Sequence, residues 1–221
     1  FSRMQLLIAV LTDDPALGRF EKPSFSQDIL MEMLVQGIDN RKIICGRIEK
    51  PRPLKEWYGI SFHYRTKGVF KIEWPMYELE GWIDLQYLPT TVDILNVSLN
   101  GLTGCIDLAV LPDSLTQLLL SGNQFSGSID LTKLPSRMKK LDISDNKLTG
   151  CIDLTNIPST MLEMNLDNNT FYGETDFSNL PKSLRMLNLT NTKLEGTIYV
   201  KPGVDTDIFQ VELTKVEVCV S

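Results

Sequence analysis

From Gly59 onward the chain says the same thing every 23 residues, and a period of that length restricts it to architectures in which small identical units stack. Segments beginning at residues 59, 82, 105, 128, 151, 174 and 197 align column by column. One column set reads Ile83-Asp84-Leu85, Ile106-Asp107-Leu108, Ile129-Asp130-Leu131, Ile152-Asp153-Leu154 and Thr175-Asp176-Phe177. An aliphatic–proline pair follows, as in Leu111-Pro112 and Leu134-Pro135. Each segment then spaces its apolar residues as L-x-x-L-x-L-x-x-N-x-L, for example Leu115, Leu118, Leu120, Asn123 and Phe125, and closes on glycine.

Each column has a physical reading. Two apolar residues flanking one outward residue make a short strand, and stacked repeats join those strands into a parallel sheet at about 4.8 Å per step. Asn100, Asn123, Asn146 and Asn169 turn the chain out of the strand, their amides satisfying backbone groups left unpaired there. Proline cannot donate to a sheet ladder, so the Leu-Pro pair belongs to the return path. That path is too short for an α-helix, which predicts 3₁₀ or extended turns on a convex side, with the Ile-x-Leu segments forming a second small sheet. The expected architecture is a β-rich solenoid of about seven repeats over 59–221, the end repeats degraded: Tyr77 replaces the asparagine in the first, and Val216 in the last. In that last repeat Ile208, Val211, Leu213 and Val218 are expected to fill the apolar columns.

Residues 1–58 do not repeat and are read as a helical N-terminal cap followed by a basic linker. "MQLLIAVL" (4–11) and "SQDILMEMLVQG" (26–37) suit two helices, the second with a serine cap and a terminal glycine. Residues 40–57 hold six Lys and Arg against two acids, together with two prolines.

These repeats resemble the leucine-rich-repeat superfamily. The wording L-x-G-x-I-D-L-x-x-L-P is similar to short leucine-rich-repeat proteins of kinetoplastid protists, and to the L-x-G-x-I-P repeats of plant receptor ectodomains. "EWYGISF" (56–62) resembles the W-x-G-V-x-C entry of those receptors, with Phe62 in place of the family's cysteine. The resemblance implies a scaffold that binds other proteins rather than a particular ligand.

Little chemistry of other kinds is legible. Residues 59–221 carry 13 Lys and Arg against 20 Asp and Glu, net −7, which opposes binding to nucleic acid or anionic membrane. No apolar run reaches membrane-spanning length. The one histidine, His63, lacks a motif that would supply an orienting acid and a nucleophile. Cys45, Cys105, Cys151 and Cys219 fall too far apart in the stack to pair, and their spacing suits no zinc site. They point to a reducing, cytoplasmic location. The column Asp84, Asp107, Asp130, Asp153 and Asp176 stacks carboxylates about 5 Å apart, where neighbours repel by about 0.8 kcal/mol in water. Its structural role is to accept N–H bonds from a neighbouring turn; its functional alternative is a stripe for cations. Asn96, Asn168 and Asn188 begin N-x-S/T triplets.

A partner surface belongs where the repeats differ. The outward columns of the concave strands are Lys71, Ile94, Gln117, Lys140, Glu163, Met186 and Gln210, then Glu73, Asn96, Leu119, Asp142, Asn165, Asn188 and Glu212. The next runs Pro75, Ser98, Ser121, Ser144, Asp167, Thr190 and Thr214. Apolar side chains among amides and hydroxyls suit a protein partner, centred on Leu119, Glu163 and Asn165. The expected function is a non-enzymatic protein-interaction module with no cofactor. The alternatives are a structural subunit of a larger assembly and a secreted or surface ligand sensor.

Overall fold

A computed structural model describes residues 25–220, and the helix expected at 4–11 lies outside them. The repeats wind into a β-solenoid of about seven turns with two sheets. The eight-stranded sheet opens with Ile60–Phe62, antiparallel to Val69–Glu73. It continues in parallel through Ile94–Asn96, Gln117–Leu119, Lys140–Asp142, Glu163–Asn165, Met186–Asn188 and Phe209–Gln210. The middle residue of each three-residue strand is buried and its neighbours are half-buried. That pattern is what two faces of unequal burial impose on a period of two.

The core runs down the axis between the sheets. Leu95, Leu118, Leu141 and Leu187 are fully buried from one side, and Leu102, Leu148 and Phe171 from the other. The asparagine column binds consecutive repeats together. Asn123 Nδ2 donates to the Leu120 and Val97 carbonyls, and Asn146 and Asn169 repeat the pattern one and two turns on. The Leu102, Phe125 and Leu148 amides return a bond to the Oδ1 of the next asparagine.

The second sheet is not built as expected. Its seven strands run from Glu80–Trp82 through Gly101–Cys105 to Lys215–Val220 and precede the Ile-Asp-Leu segments of the regular repeats, while Lys193–Val200 runs on through those columns and pairs at Ile198, Tyr199 and Val200 with the closing strand. The Ile-Asp-Leu positions instead enter 3₁₀ turns at Leu85–Tyr87, Leu108–Val110 and Leu131–Lys133. The aspartate decides this by capping its own turn. Asp107 Oδ1 accepts from Ala109 N at 2.9 Å, Asp130 from Thr132 N at 3.0 Å, Asp153 from Thr155 N at 2.8 Å, and Asp176 from Ser178 N at 2.8 Å. The donor lies two residues on in the same turn rather than in a neighbouring one. The Thr132 and Thr155 hydroxyls first, and then these amide bonds, hold the Asp130 and Asp153 carboxyls below their usual range, while the Ser178 amide and then its hydroxyl do so for Asp176.

The last repeat is also corrected. Phe209 pairs with Leu187 and Gln210 with Asn188, two residues away from the expected register. A turn of 22 rather than 24 residues therefore puts Thr214 in the asparagine column, where its Oγ1 donates to the Val211 carbonyl as Thr192 does to Leu189. Leu213, expected in the core, is 79% exposed with φ +56°.

Before the solenoid, helix Gln27–Leu34 is capped by Ser26, whose side chain accepts from Ile29 N. Met31 and Leu34 are buried, and the Leu34 carbonyl accepts from Asp84 N of the first repeats. Ile38 bridges Gly81 in antiparallel fashion. Gly81 sits at φ +94°, and a Cβ there would lie 2.2 Å from the Gly37 carbonyl oxygen. Only glycine permits that approach.

Candidate binding face

The columns expected on the strands are brought together by the sheet. Lys71 lies beside Ile94, then Gln117, Lys140, Glu163 and Met186. Glu73 lies beside Asn96, then Leu119, Asp142, Asn165 and Asn188. All of these, and Asp167, are half-buried. Gln210 joins the second row rather than the first, and Glu212 takes the place beyond it, accepting from Thr190 Oγ1 at 2.9 Å.

The face divides by charge along the strand direction. At the entry side Lys71 pairs with Glu73 at 2.8 Å and Lys140 with Glu163 at 2.6 Å, so those charges are largely neutralised on the face itself. At the exit side stand Asp142, Asp145, Asp167 and Glu212, and among the described residues no ion pair involves them. Asp142 Oδ1 accepts from Ser144 N and Oγ. Partial burial, with Asp145 and Asp142 close by, raises the Asp167 carboxyl above its usual range. Among the described residues, Asn165 Oδ1 and Asp167 Oδ1 are buried without a hydrogen-bond partner. Ile94 and Met186 in the first row and Leu119 in the second present apolar surface among these charges.

The asparagines of the N-x-S/T triplets use their amides locally. Asn96 and Asn188 accept from Ser98 N and Thr190 N, each at 3.0 Å. Asn168 donates to Asp167 Oδ2 and accepts from Asn191 Nδ2. His63 closes the loop before Val69, its Nδ1 facing the Arg65 and Thr66 amides at 3.3 and 3.5 Å and its ring edge-on to Phe70. Its partners are those of a loop residue. Among the described residues, no cluster of His, Cys, Asp and Glu suits a metal ion, and no helix is long and apolar enough to cross a membrane. All four cysteines are free.

No protein-family model matches the sequence, and no curated protein sequence does. Solved structures do match the fold. The BIR2 ectodomain of Arabidopsis thaliana is 25% identical, with a TM-score of 0.57, covering 87% of this chain and 94% of its own. The BIR3–SERK2 complex of the same plant matches at 22% identity and TM-score 0.57, over 76% of this chain and 95% of that one. A plant ice-binding protein matches at 19% identity and TM-score 0.64, over 86% and 71%.

The cytoplasmic location expected from the unpaired cysteines is overturned by these likenesses, since the BIR2 match is to an ectodomain and points to an extracellular setting. The inference failed because a stack whose repeats are tied by backbone and asparagine bonds needs no disulfide in any compartment. Repeat spacing, solenoid topology and these structural likenesses agree on a solenoid fold of the leucine-rich-repeat type.

Proposed function

We propose that the chain is a non-enzymatic binding module displayed outside the cell, taking a protein or peptide ligand on its eight-stranded sheet. The observation that carries this reading is the departure from repetition on that sheet. The buried columns are nearly invariant from turn to turn, whereas the outward ones change from Ile94 to Gln117 to Lys140 and from Asn96 to Leu119 to Asp142. Packing demands uniformity from the first set and nothing from the second. A mixed apolar and polar face with charged margins suits a protein partner. One of the similar structures is itself a complex, of BIR3 with SERK2. The finer resemblance to kinetoplastid-type short repeats rests on the L-x-G-x-I-D-L-x-x-L-P wording.

The test compares wild type with a Leu119→Lys, Glu163→Lys, Asn165→Lys variant whose fold is checked by circular dichroism. Both are used as bait against secreted and surface proteins of the source cells. Proteins retained by the wild type and lost from the variant support the face as the site. Retention of the same set by both removes it.

A further inference from the structure

The aspartate column recurs in five repeats as a turn cap, so the column alone marks no site. One repeat differs. The residue that follows the glycine in each outer strand is Cys105, Ser128, Cys151 and Glu174 in successive turns, but Trp82 in the first. Trp82 is 44% exposed, whereas Trp57 and Trp74 are 5% and 0% exposed. The ring lies against bare backbone: a Cβ on Gly37 would come within 2.3 Å of it, and Trp82 N donates to the Gly37 carbonyl at 3.0 Å. Gly37 is in turn held by the Ile38–Gly81 bridge. The indole is therefore positioned before any ligand arrives.

Beside it, between the first two turns of the solenoid, opens a cleft of about 330 Å³ lined by Trp82, Asp84, Gln86, Cys105 and Asp107 among others. Neither carboxylate belongs to an ion pair among the described residues, and no Lys, Arg or His lines the cleft. Asp84 takes both of its bonds from Gln86. Asp107 takes one, from Ala109 N to Oδ1, which leaves Oδ2 without a partner among the described residues. In later turns the same columns carry the aspartates with Ser128, Cys151 or Glu174 in place of the indole.

We propose that this cleft binds a small organic cation, an ammonium group carrying alkyl substituents. The electron-rich face of an indole attracts such a group, and its alkyl surface leaves water at little cost. Asp84 and Asp107 supply the counter-charge. A neutral sugar would also stack on an indole but gains nothing from two unpaired carboxylates. The proposal is independent of the ligand on the eight-stranded sheet.

Cys105 in the cleft wall gives a direct readout, and exposed Cys151, two turns away in the same column, is its internal control. The alkylation rate of each thiol by iodoacetamide is followed by peptide mass spectrometry. Tetramethylammonium, choline and Nα-acetyl-lysine amide are titrated in turn, with 3,3-dimethylbutanol as the neutral isostere of choline. At least one cation should slow Cys105 alkylation severalfold and leave Cys151 unchanged, while the alcohol has no effect. The concentration order of choline and the lysine derivative then separates a free quaternary ligand from a side chain on a peptide. Trp82→Ala should raise the half-protecting concentration about tenfold. Asp107→Asn, which keeps the Oδ1 cap, should also raise it. Protection by no cation, equal protection of Cys151, or equal protection by the alcohol overturns the proposal.

Discussion

Asn123 holds two repeats at once: its Oδ1 accepts from Leu102 N at 3.0 Å while its Nδ2 donates to the Val97 carbonyl of the turn before, also at 3.0 Å. A third bond, to the Leu120 carbonyl of its own turn, fixes the exit from the strand. No backbone group can do this work, because the chain at this bend faces the buried interior, where an unpaired donor or acceptor is costly.

Replacing Asn123 with alanine should therefore cost about 2–3 kcal/mol, from backbone groups stranded away from water. Threonine should be milder. Thr192 already occupies the same column and keeps the bond to the carbonyl three residues earlier. Urea unfolding of the two variants measures the difference; equal losses would mean that the inter-repeat bonds contribute little.

Inward and outward strand positions should differ sharply in their sensitivity. Leu118 is fully buried, and Leu118→Ala should lose roughly 2–5 kcal/mol by hollowing the stacked core. Asp142 lies one turn on and outward, and its carboxylate accepts from Ser144 N and Oγ at its own strand exit. Asp142→Ala should lose less than about 1 kcal/mol. Thermal melts ranking the two the other way would contradict the observed register.

The junction ahead of the solenoid gives a third case. Gly81→Ala places a methyl group against the Gly37 carbonyl and forces an alanine into the left-handed region, so the 36–41 segment must leave the first repeat. Limited proteolysis should cut this segment earlier in the variant than in wild type, while cleavage in the later repeats is unchanged. Unaltered digestion there would show that the contact can relax without detaching.

How much of this was legible beforehand depends on what each residue answers to. The buried columns and the asparagine ladder obey packing and backbone satisfaction, both of which leave a period in the sequence. The second sheet was misplaced because Ile-Asp-Leu alternates like a strand, and only the capping bond from Asp to the residue two further on turns it into a 3₁₀ entry. Leu213 was misassigned because its turn is one residue short, and hydrophobicity alone cannot register a deletion. The pairing of Lys140 with Glu163 follows directly from the strand register. The cleft at Trp82 left no such signal. Its wall depends on Gly37, which lies outside the repeat and meets Trp82 only in the fold.

Two aspartates should show opposite responses to pH. Asp167 has its folded pKa raised by burial, then by Asp145 and Asp142. The folded state thus binds this proton more tightly than the unfolded chain, and ionising Asp167 costs stability as pH rises from the unfolded value through the folded one. Asp167→Asn removes that cost, so it should stabilise the protein at neutral pH, with a gain that shrinks as pH falls through the folded pKa and is gone below the unfolded one. Asp153 is the reverse case, its folded pKa lowered first by the Thr155 hydroxyl and then by the Thr155 amide. Its contribution is present above the unfolded pKa and disappears as pH falls through the folded one. Asp153→Asn should therefore be slightly destabilising at neutral pH and indistinguishable from wild type in acid. Urea midpoints for both variants between pH 7.5 and pH 3 test the pair together. A gain for Asp167→Asn that persists unchanged at low pH would show that shape rather than charge sets its effect.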